Sequence, residues 1–289
     1  MRIETVTDKE IIMNNKIGVL INYREDTDIL EEMRKAQSLG LESCQLSIWN
    51  SEMLTPENAE RVREAMAETG FTVSAVWGGW HKPCAWNFTE GPKTIGLVPS
   101  EYRASRLEEL KRASDFAEMI GVNKVITHVG FIPEDPNHPD FMGVVDALRE
   151  FCEYLHAKGQ YFLFETGQET PVTMLRTIEA IGLDNIGINF DTANLILYGK
   201  ANTLDALDVF GKYVMQTHIK DGLYPTDGMR LGREVRFGDG KANFPAVVKR
   251  LFELGYKGEF TIEREISGDD QIADIIIARD GLRQIMESL

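Results

Sequence analysis

Cysteine is scarce: it occurs three times in 289 residues, at Cys44, Cys84 and Cys152, and never as a C-x-x-C pair. An odd, scattered set excludes a disulfide framework and a thiolate zinc site, so reduced structural thiols are expected. No apolar run is long enough to span a bilayer, and no long apolar segment follows a basic start, so neither membrane insertion nor secretion is indicated. A soluble, cytoplasmic chain is the expectation. Basic residues are outnumbered, 31 against 46 acidic, for a formal net charge of −15. Such a surface repels a phosphate backbone unless its cations gather in one groove, and no gathering is visible, so nucleic acid is not expected as a partner. The dinucleotide fingerprint G-x-G-x-x-G is absent, as are linkers, low-complexity tracts and long runs of like charge.

The chain does contain a recurring unit. A glycine closes an amphipathic stretch at Leu39-Gly40, Thr69-Gly70, Ile120-Gly121, Lys158-Gly159, Ile181-Gly182, Phe210-Gly211 and Leu254-Gly255. Glycine past a helix end takes the left-handed conformation that other residues resist, and a short apolar run follows nearly every one. These runs predict eight strands: Ile17 to Ile21, Ser43 to Ile48, Phe71 to Val76, Lys124 to His128, Tyr161 to Glu165, Ile186 to Asp191, Tyr213 to His218 and Glu259 to Glu263. Helical periodicity lies between them, clearest in Phe244, Val247, Val248, Leu251 and Phe252. Alternating strands and helices imply a parallel sheet, and this number of strands closes into a (β/α)8 TIM barrel of the α/β class. The length suits one such domain over residues 1–289. Two irregular stretches, Gly78 to Ser100 and Asp221 to Lys241, directly follow strands, which places them at the barrel's catalytic mouth.

Four consecutive strands end on a group able to bind a metal: Glu165, Asp191, His218 and Glu263. A barrel gathers the C-terminal ends of neighbouring strands, so residues far apart in sequence converge on one point. Taken singly, each acid reads as a helix cap or a surface ion pair. Taken together they read as one site, because each ends an apolar strand where a lone charge is costly. Three carboxylates and an imidazole suit one divalent ion, whether Mn2+, Mg2+, Co2+ or Zn2+.

The surrounding segments, Phe164-Glu165-Thr166, Asn189-Phe190-Asp191-Thr192-Ala193-Asn194, Thr217-His218-Ile219-Lys220-Asp221, Gly238-Asp239-Gly240-Lys241 and Thr261-Ile262-Glu263-Arg264-Glu265, resemble the xylose-isomerase-like barrel superfamily. That superfamily comprises sugar isomerases and epimerases together with the endonuclease IV repair enzymes, and the resemblance runs from about Ile17 to the end. It implies that the same four residues hold one metal and that Glu165 and Glu263 are catalytic. Ketose 3-epimerases of the superfamily carry a histidine three positions after the metal aspartate, where this chain has Asn194, so substrate handling there must differ. The trinuclear nucleases need that histidine and an Asp-x-His pair where this chain reads Gly232-Arg233-Glu234, which leaves a nuclease cluster incomplete.

Further residues are candidates for binding substrate. His128 ends the fourth strand beside Glu165, and Lys220 shares a face with His218, where it is placed to stabilise an enolate oxygen. Arg230, Arg233 and Arg236 follow His218, and Arg236, beside the Gly-Asp-Gly turn, is the preferred ligand for a phosphate or carboxylate. Trp49 and Trp77 stand at strand ends, with Trp77 the preferred cover for a sugar's apolar face. The resemblance implies isomerisation or epimerisation beside a carbonyl through a cis-enediolate, with Glu165 and Glu263 removing and returning a proton from opposite sides. A lyase acting on a keto-sugar or a glycoside begins with the same proton abstraction, whereas phosphodiester hydrolysis needs more metals and a basic groove. An inert carbohydrate-binding barrel would leave the metal site without purpose. The expected partner is a small carbohydrate, phosphorylated or not, and a homo-oligomer of barrels is compatible with this.

Overall fold

β-Branched and aromatic residues dominate the short runs between helices, and in a computed structural model these runs pair as a closed parallel barrel. Residues 15–289 are described, so the portion of the single-domain expectation that concerns residues 1–14 lies outside them. The strands are β1 (Ile17–Asn22), β2 (Ser43–Ile48), β3 (Thr72–Gly78), β4 (Lys124–Thr127), β5 (Tyr161–Glu165), β6 (Ile186–Asp191) and β7 (Val214–Ile219). A hairpin of β8 (Asp221–Leu223) and β9 (Arg233–Val235) precedes β10 (Phe260–Ile262), which joins β7 on one side and β1 on the other. The ring order is β1-β10-β7-β6-β5-β4-β3-β2. Among the described residues, no helix is long and apolar enough to cross a membrane.

Six of the seven helix-end glycines take φ between 67° and 81°. Gly211 does not: at φ −56° it continues into a short 3-10 turn, and it is glycine because a Cβ there would lie 2.5 Å from Leu254 Cδ1. Room, not handedness, decides that position. The turn takes Tyr213 out of β7. The stretch from Asp221 to Lys241 is also more ordered than its composition suggests, since it contains the β8–β9 hairpin.

Side chains alternate across each strand, and the outward set builds the main core against the helices. Phe162 meets Phe151, Phe190 meets Phe210 and Phe260 meets Phe252, with centroids 5.7, 5.7 and 5.9 Å apart. A smaller apolar cluster, including Ala75, Trp77, Ile126 and Leu163, fills another part of the barrel. Gln45, Asn189 and Gln216 are fully buried on strands β2, β6 and β7, where a barrel of this kind ordinarily packs aliphatic layers.

Candidate active site and metal centre

β5, β6, β7 and β10 are consecutive around the ring, and Glu165, Asp191 and His218 lie at or near the ends of the first three. Glu263 is one residue past β10, and its N–H continues the ladder to the Ile219 carbonyl at 3.2 Å. One ligand atom from each of the four lies within 4.8 Å of the others. His218 Nδ1 is 3.1 Å from Glu165 Oε1, 3.1 Å from Glu263 Oε2 and 3.9 Å from Asp191 Oδ2. All four residues are buried or nearly so.

The protonation pattern follows from that crowding. Burial disfavours charge on His218, yet the Glu165 and Glu263 carboxylates outweigh it and hold the imidazole well above its ordinary range. Burial pushes Asp191 well above the usual carboxylate range against the pull of Lys220. For Glu165 burial is outweighed by His218 and His128, and for Glu263 by Lys220 and His218, so both stay below the ordinary value. Three acids thus crowd one imidazole and the Lys220 ammonium, with burial favouring the neutral form of Asp191, and a divalent cation among them would let all three carboxyls ionise.

The donor set fits a divalent ion. Asp191 Oδ1 accepts the N–H groups of Ala193 (2.7 Å) and Asn194 (2.8 Å) at the start of the short helix Asn194–Leu197, while its buried Oδ2 has no hydrogen-bond partner. The helix-cap and metal-ligand readings are therefore compatible, one for each oxygen. His218 Nε2 meets Gln45 Oε1 at 2.7 Å. Gln45 turns its amide nitrogen to Asn189 Oδ1 at 3.1 Å, so its oxygen is an acceptor and Nε2 of the imidazole carries the hydrogen. Nδ1 is then the nitrogen that faces the carboxylates: it carries the extra proton toward them when no cation is bound, in keeping with the raised pKa, and would offer its lone pair to a bound ion.

Several residues expected around this centre are there. His128 is buried just past β4 with Nε2 at 3.4 Å from Glu165 Oε1, and burial lowers its pKa. Asn194 spans Glu165 Oε1 (3.5 Å) and Lys220 Nζ (3.4 Å). Lys220 Nζ also reaches Glu263 Oε2 and Glu265 Oε1, each at 3.1 Å. Trp77 donates its indole N–H to Glu165 Oε2 and is 4% exposed, with Trp49 and Trp80 packed against it. Orienting the glutamate is its evident contact here.

The loop arginines are placed elsewhere. Arg236 is exposed and pairs with Asp239 at 3.0 Å, Arg230 is exposed beside Asp227, and neither these nor Arg233 line the cavity at the mouth. The nearest anion to Arg236 is three residues away on its own turn. Glu234, in the Gly232-Arg233-Glu234 segment, pairs with Arg264 at 2.7 Å and docks the hairpin onto the chain after β10.

Other parts of the site did not stand out in the sequence. Asp221 accepts the N–H groups of Gly222, Gly238, Gly240 (2.9 Å each) and Ala242 (3.1 Å), which accounts for the Gly238-Asp239-Gly240 motif. A Cβ on Gly240 would lie 2.1 Å from Asp221 Oδ1. Gln45 was legible only as a polar residue inside an apolar strand. The cavity, 710 Å³, is lined near the centre by Trp49, Trp77, Trp86, His128, Gln168 and Tyr198.

With the four strand ends and their cavity in place, the family follows. Residues 33–287 match the xylose isomerase-like TIM barrel family, and the chain belongs to it. A xylose isomerase domain protein from Planctomyces limnophilus is 34% identical and superposes with a TM-score of 0.87, covering 94% of this chain and 98% of that one. The L-ribulose-5-phosphate 3-epimerase of Escherichia coli K12 is 24% identical over 275 residues, 89% of each chain. A Mycobacterium smegmatis barrel solved in complex with magnesium shares the fold at 18% identity and a TM-score of 0.71, covering 96% of this chain and 98% of that one.

Proposed function

We propose that the chain is a divalent-metal-dependent sugar isomerase or epimerase that moves a proton on a carbon beside a carbonyl. The observation that carries this is the placement of two carboxylates, Glu165 and Glu263, on the outermost of four adjacent strand ends, each 3.1 Å from the same imidazole nitrogen. A divalent ion bound by Glu165, Asp191, His218 and Glu263 would supply Lewis acidity to a carbonyl and its neighbouring hydroxyl. A sugar lying between the glutamates exposes its acidified C–H to one carboxylate, which takes the proton, while the other returns one from its own side. Returning the proton to the same carbon from the opposite side inverts it, and returning it to the former carbonyl carbon, with the hydroxyl proton passing to the former carbonyl oxygen, isomerises the sugar. The glutamates differ in freedom: Glu165 is held by Trp77, His128 and Asn194, whereas the side chain of Glu263 keeps 11% exposure and has Lys220 as its partner. On this reading Lys220, whose ammonium lies 3.1 Å from Glu263, would stabilise a developing enediolate oxygen, and His128 would donate to a substrate hydroxyl. The partner on this reading is a small carbohydrate, consistent with the kinship to a pentulose phosphate epimerase and with the net charge of −15.

The test is turnover of ketoses in heavy water. Solvent deuterium is expected on a carbon next to the carbonyl, and Glu165→Gln and Glu263→Gln should each slow its incorporation by about 10²–10⁴-fold. Product without solvent label, while both variants retain metal, contradicts proton transfer by the glutamates. Label followed by loss of a leaving group identifies a lyase instead.

A further inference from the structure

The chain has four tryptophans, Trp49, Trp77, Trp80 and Trp86, and all meet in one cluster beside Glu165 and His128. Trp77 and Trp80 are buried, while Trp49 and Trp86 remain 36% and 42% exposed on the wall of the cavity. The two partly exposed rings meet edge to face at 90° with centroids 6.2 Å apart, forming an apolar corner on the cavity wall. Proton transfer between Glu165 and Glu263 makes no use of that corner. Uncovered indoles in a cavity mark a binding surface, since water is a poor neighbour for them.

The corner is built into the fold. The loop that carries Trp80 and Trp86 is pinned by Arg106, a buried guanidinium donating to the carbonyls of Gly96 (2.6 Å), Pro83 (2.7 Å) and His81 (3.4 Å) and lying over the Trp80 ring at 5.4 Å. Glu109 accepts the His81 N–H at 3.1 Å and holds the same loop from the other side. A guanidinium taken from water is costly unless its donors are satisfied, and here both Nη groups donate to the loop's carbonyls, which leaves only Nε without a partner. Gln168 and Tyr198 line the same cavity, are buried, and have side-chain polar atoms without a protein hydrogen-bond partner.

The cations along the cavity are mostly engaged. Arg264 pairs with Glu234 and Asp274, Lys35 lies 4.0 Å from Glu32, and Lys220, at the centre, is held by Glu263 and Glu265. Arg24, on the exposed rim, is the lining cation without an ion pair among the described residues. Aromatic faces with amide and phenol edges match a pyranose ring, whose C–H face is apolar and whose rim is hydroxyl.

We infer that Trp49 and Trp86 form an outer subsite for a second, uncharged sugar ring, so that the substrate is a disaccharide or other glycoside whose inner ring lies at the Glu165–Glu263 centre. The inner ring rests on the proposed function, and the outer one stands on the tryptophan corner alone. The direct test is calorimetric titration of the metal-loaded, full-length protein with cellobiose, maltose, D-glucose, D-fructose and D-fructose 6-phosphate. A disaccharide should bind about tenfold tighter than its component monosaccharide, as one stacked ring contributes. Trp49→Ala and Trp86→Ala should each remove most of that advantage, Trp86→Phe should keep part of it, and Trp86→Ala should retain the metal of the wild type. The inference is overturned if the phosphate ester binds tightest, if neither disaccharide gains over its monosaccharide, or if the gain survives both alanine variants. It is also overturned if those variants change only the sedimentation mass, which would make the corner an interface between copies. A wild type without metal that still shows the disaccharide advantage would refute the proposed chemistry and leave the subsite intact.

Discussion

His218 Nε2 lies 2.7 Å from Gln45 Oε1, joining β7 to β2 across the interior of the barrel. The contact begins a polar column. Gln45 Nε2 reaches Asn189 Oδ1 (3.1 Å) and Gln216 Oε1 (3.5 Å), and Gln216 in turn donates to Glu259, half-buried just before β10. A side chain that fixes which imidazole nitrogen carries the hydrogen also fixes which one is free to ligate.

Gln45→Leu should therefore weaken divalent-metal binding by about 10–100-fold, the usual cost of losing such a partner. Gln45→Glu, which keeps an acceptor for the imidazole N–H, should retain more affinity. Competition against a chromogenic chelator measures both. Equal affinity in wild type and Gln45→Leu would show that His218 needs no such support.

Asp221 holds four backbone N–H groups around the β8–β9 hairpin. Asp221→Ala leaves those donors without an acceptor and should cost about 3–5 kcal/mol of stability, seen as a lower denaturant midpoint. Asp221→Asn should lose less, since its carbonyl oxygen still accepts. A loss below about 0.5 kcal/mol for the alanine variant, the usual range of a neutral surface change, would contradict this role.

Glu169 is 3% exposed, neither of its oxygens has a hydrogen-bond partner, and burial pushes its carboxyl up to about 8. An unfolded glutamate titrates near 4.3, so between about pH 4 and pH 8 the native state holds a proton that the unfolded chain releases. Its contribution to stability is complete below that window and is lost as pH rises through it. Glu169→Gln should flatten this part of the profile and be more stable than wild type near pH 8, by a few kcal/mol at most. Urea melts at several pH values provide the comparison, and parallel profiles for the two proteins would exclude the buried acid as the cause.

Strand count and barrel closure were legible because glycine-terminated helices and short apolar runs are local signals. The convergence of Glu165, Asp191, His218 and Glu263 was legible for a related reason: polar residues at the ends of apolar strands have one place to go in a barrel. The amides of Gln45, Asn189 and Gln216 carried the same kind of signal from strand interiors, but what each one touches depends on pairing across the ring. The partner of Arg236 was not legible, because an arginine beside a turn can meet the acid of its own turn, a contact set by loop geometry. Trp77 was expected to cover a sugar; it lines the cavity with Trp80 packed against it from the loop after β3, and the more exposed rings are Trp49 and Trp86. The β8–β9 hairpin has strands of three residues each, too short for an alternating pattern to register.

The convergence of Glu165, Asp191, His218 and Glu263 on one divalent ion is tested most directly by elemental analysis of protein equilibrated in turn with Mn2+, Mg2+, Co2+ and Zn2+. About one ion per chain is expected in wild type, with occupancy falling sharply in Asp191→Ala and in His218→Ala. A metal-replete wild type that binds none, or two variants that bind as much as wild type, would contradict the metal centre and every step built on it.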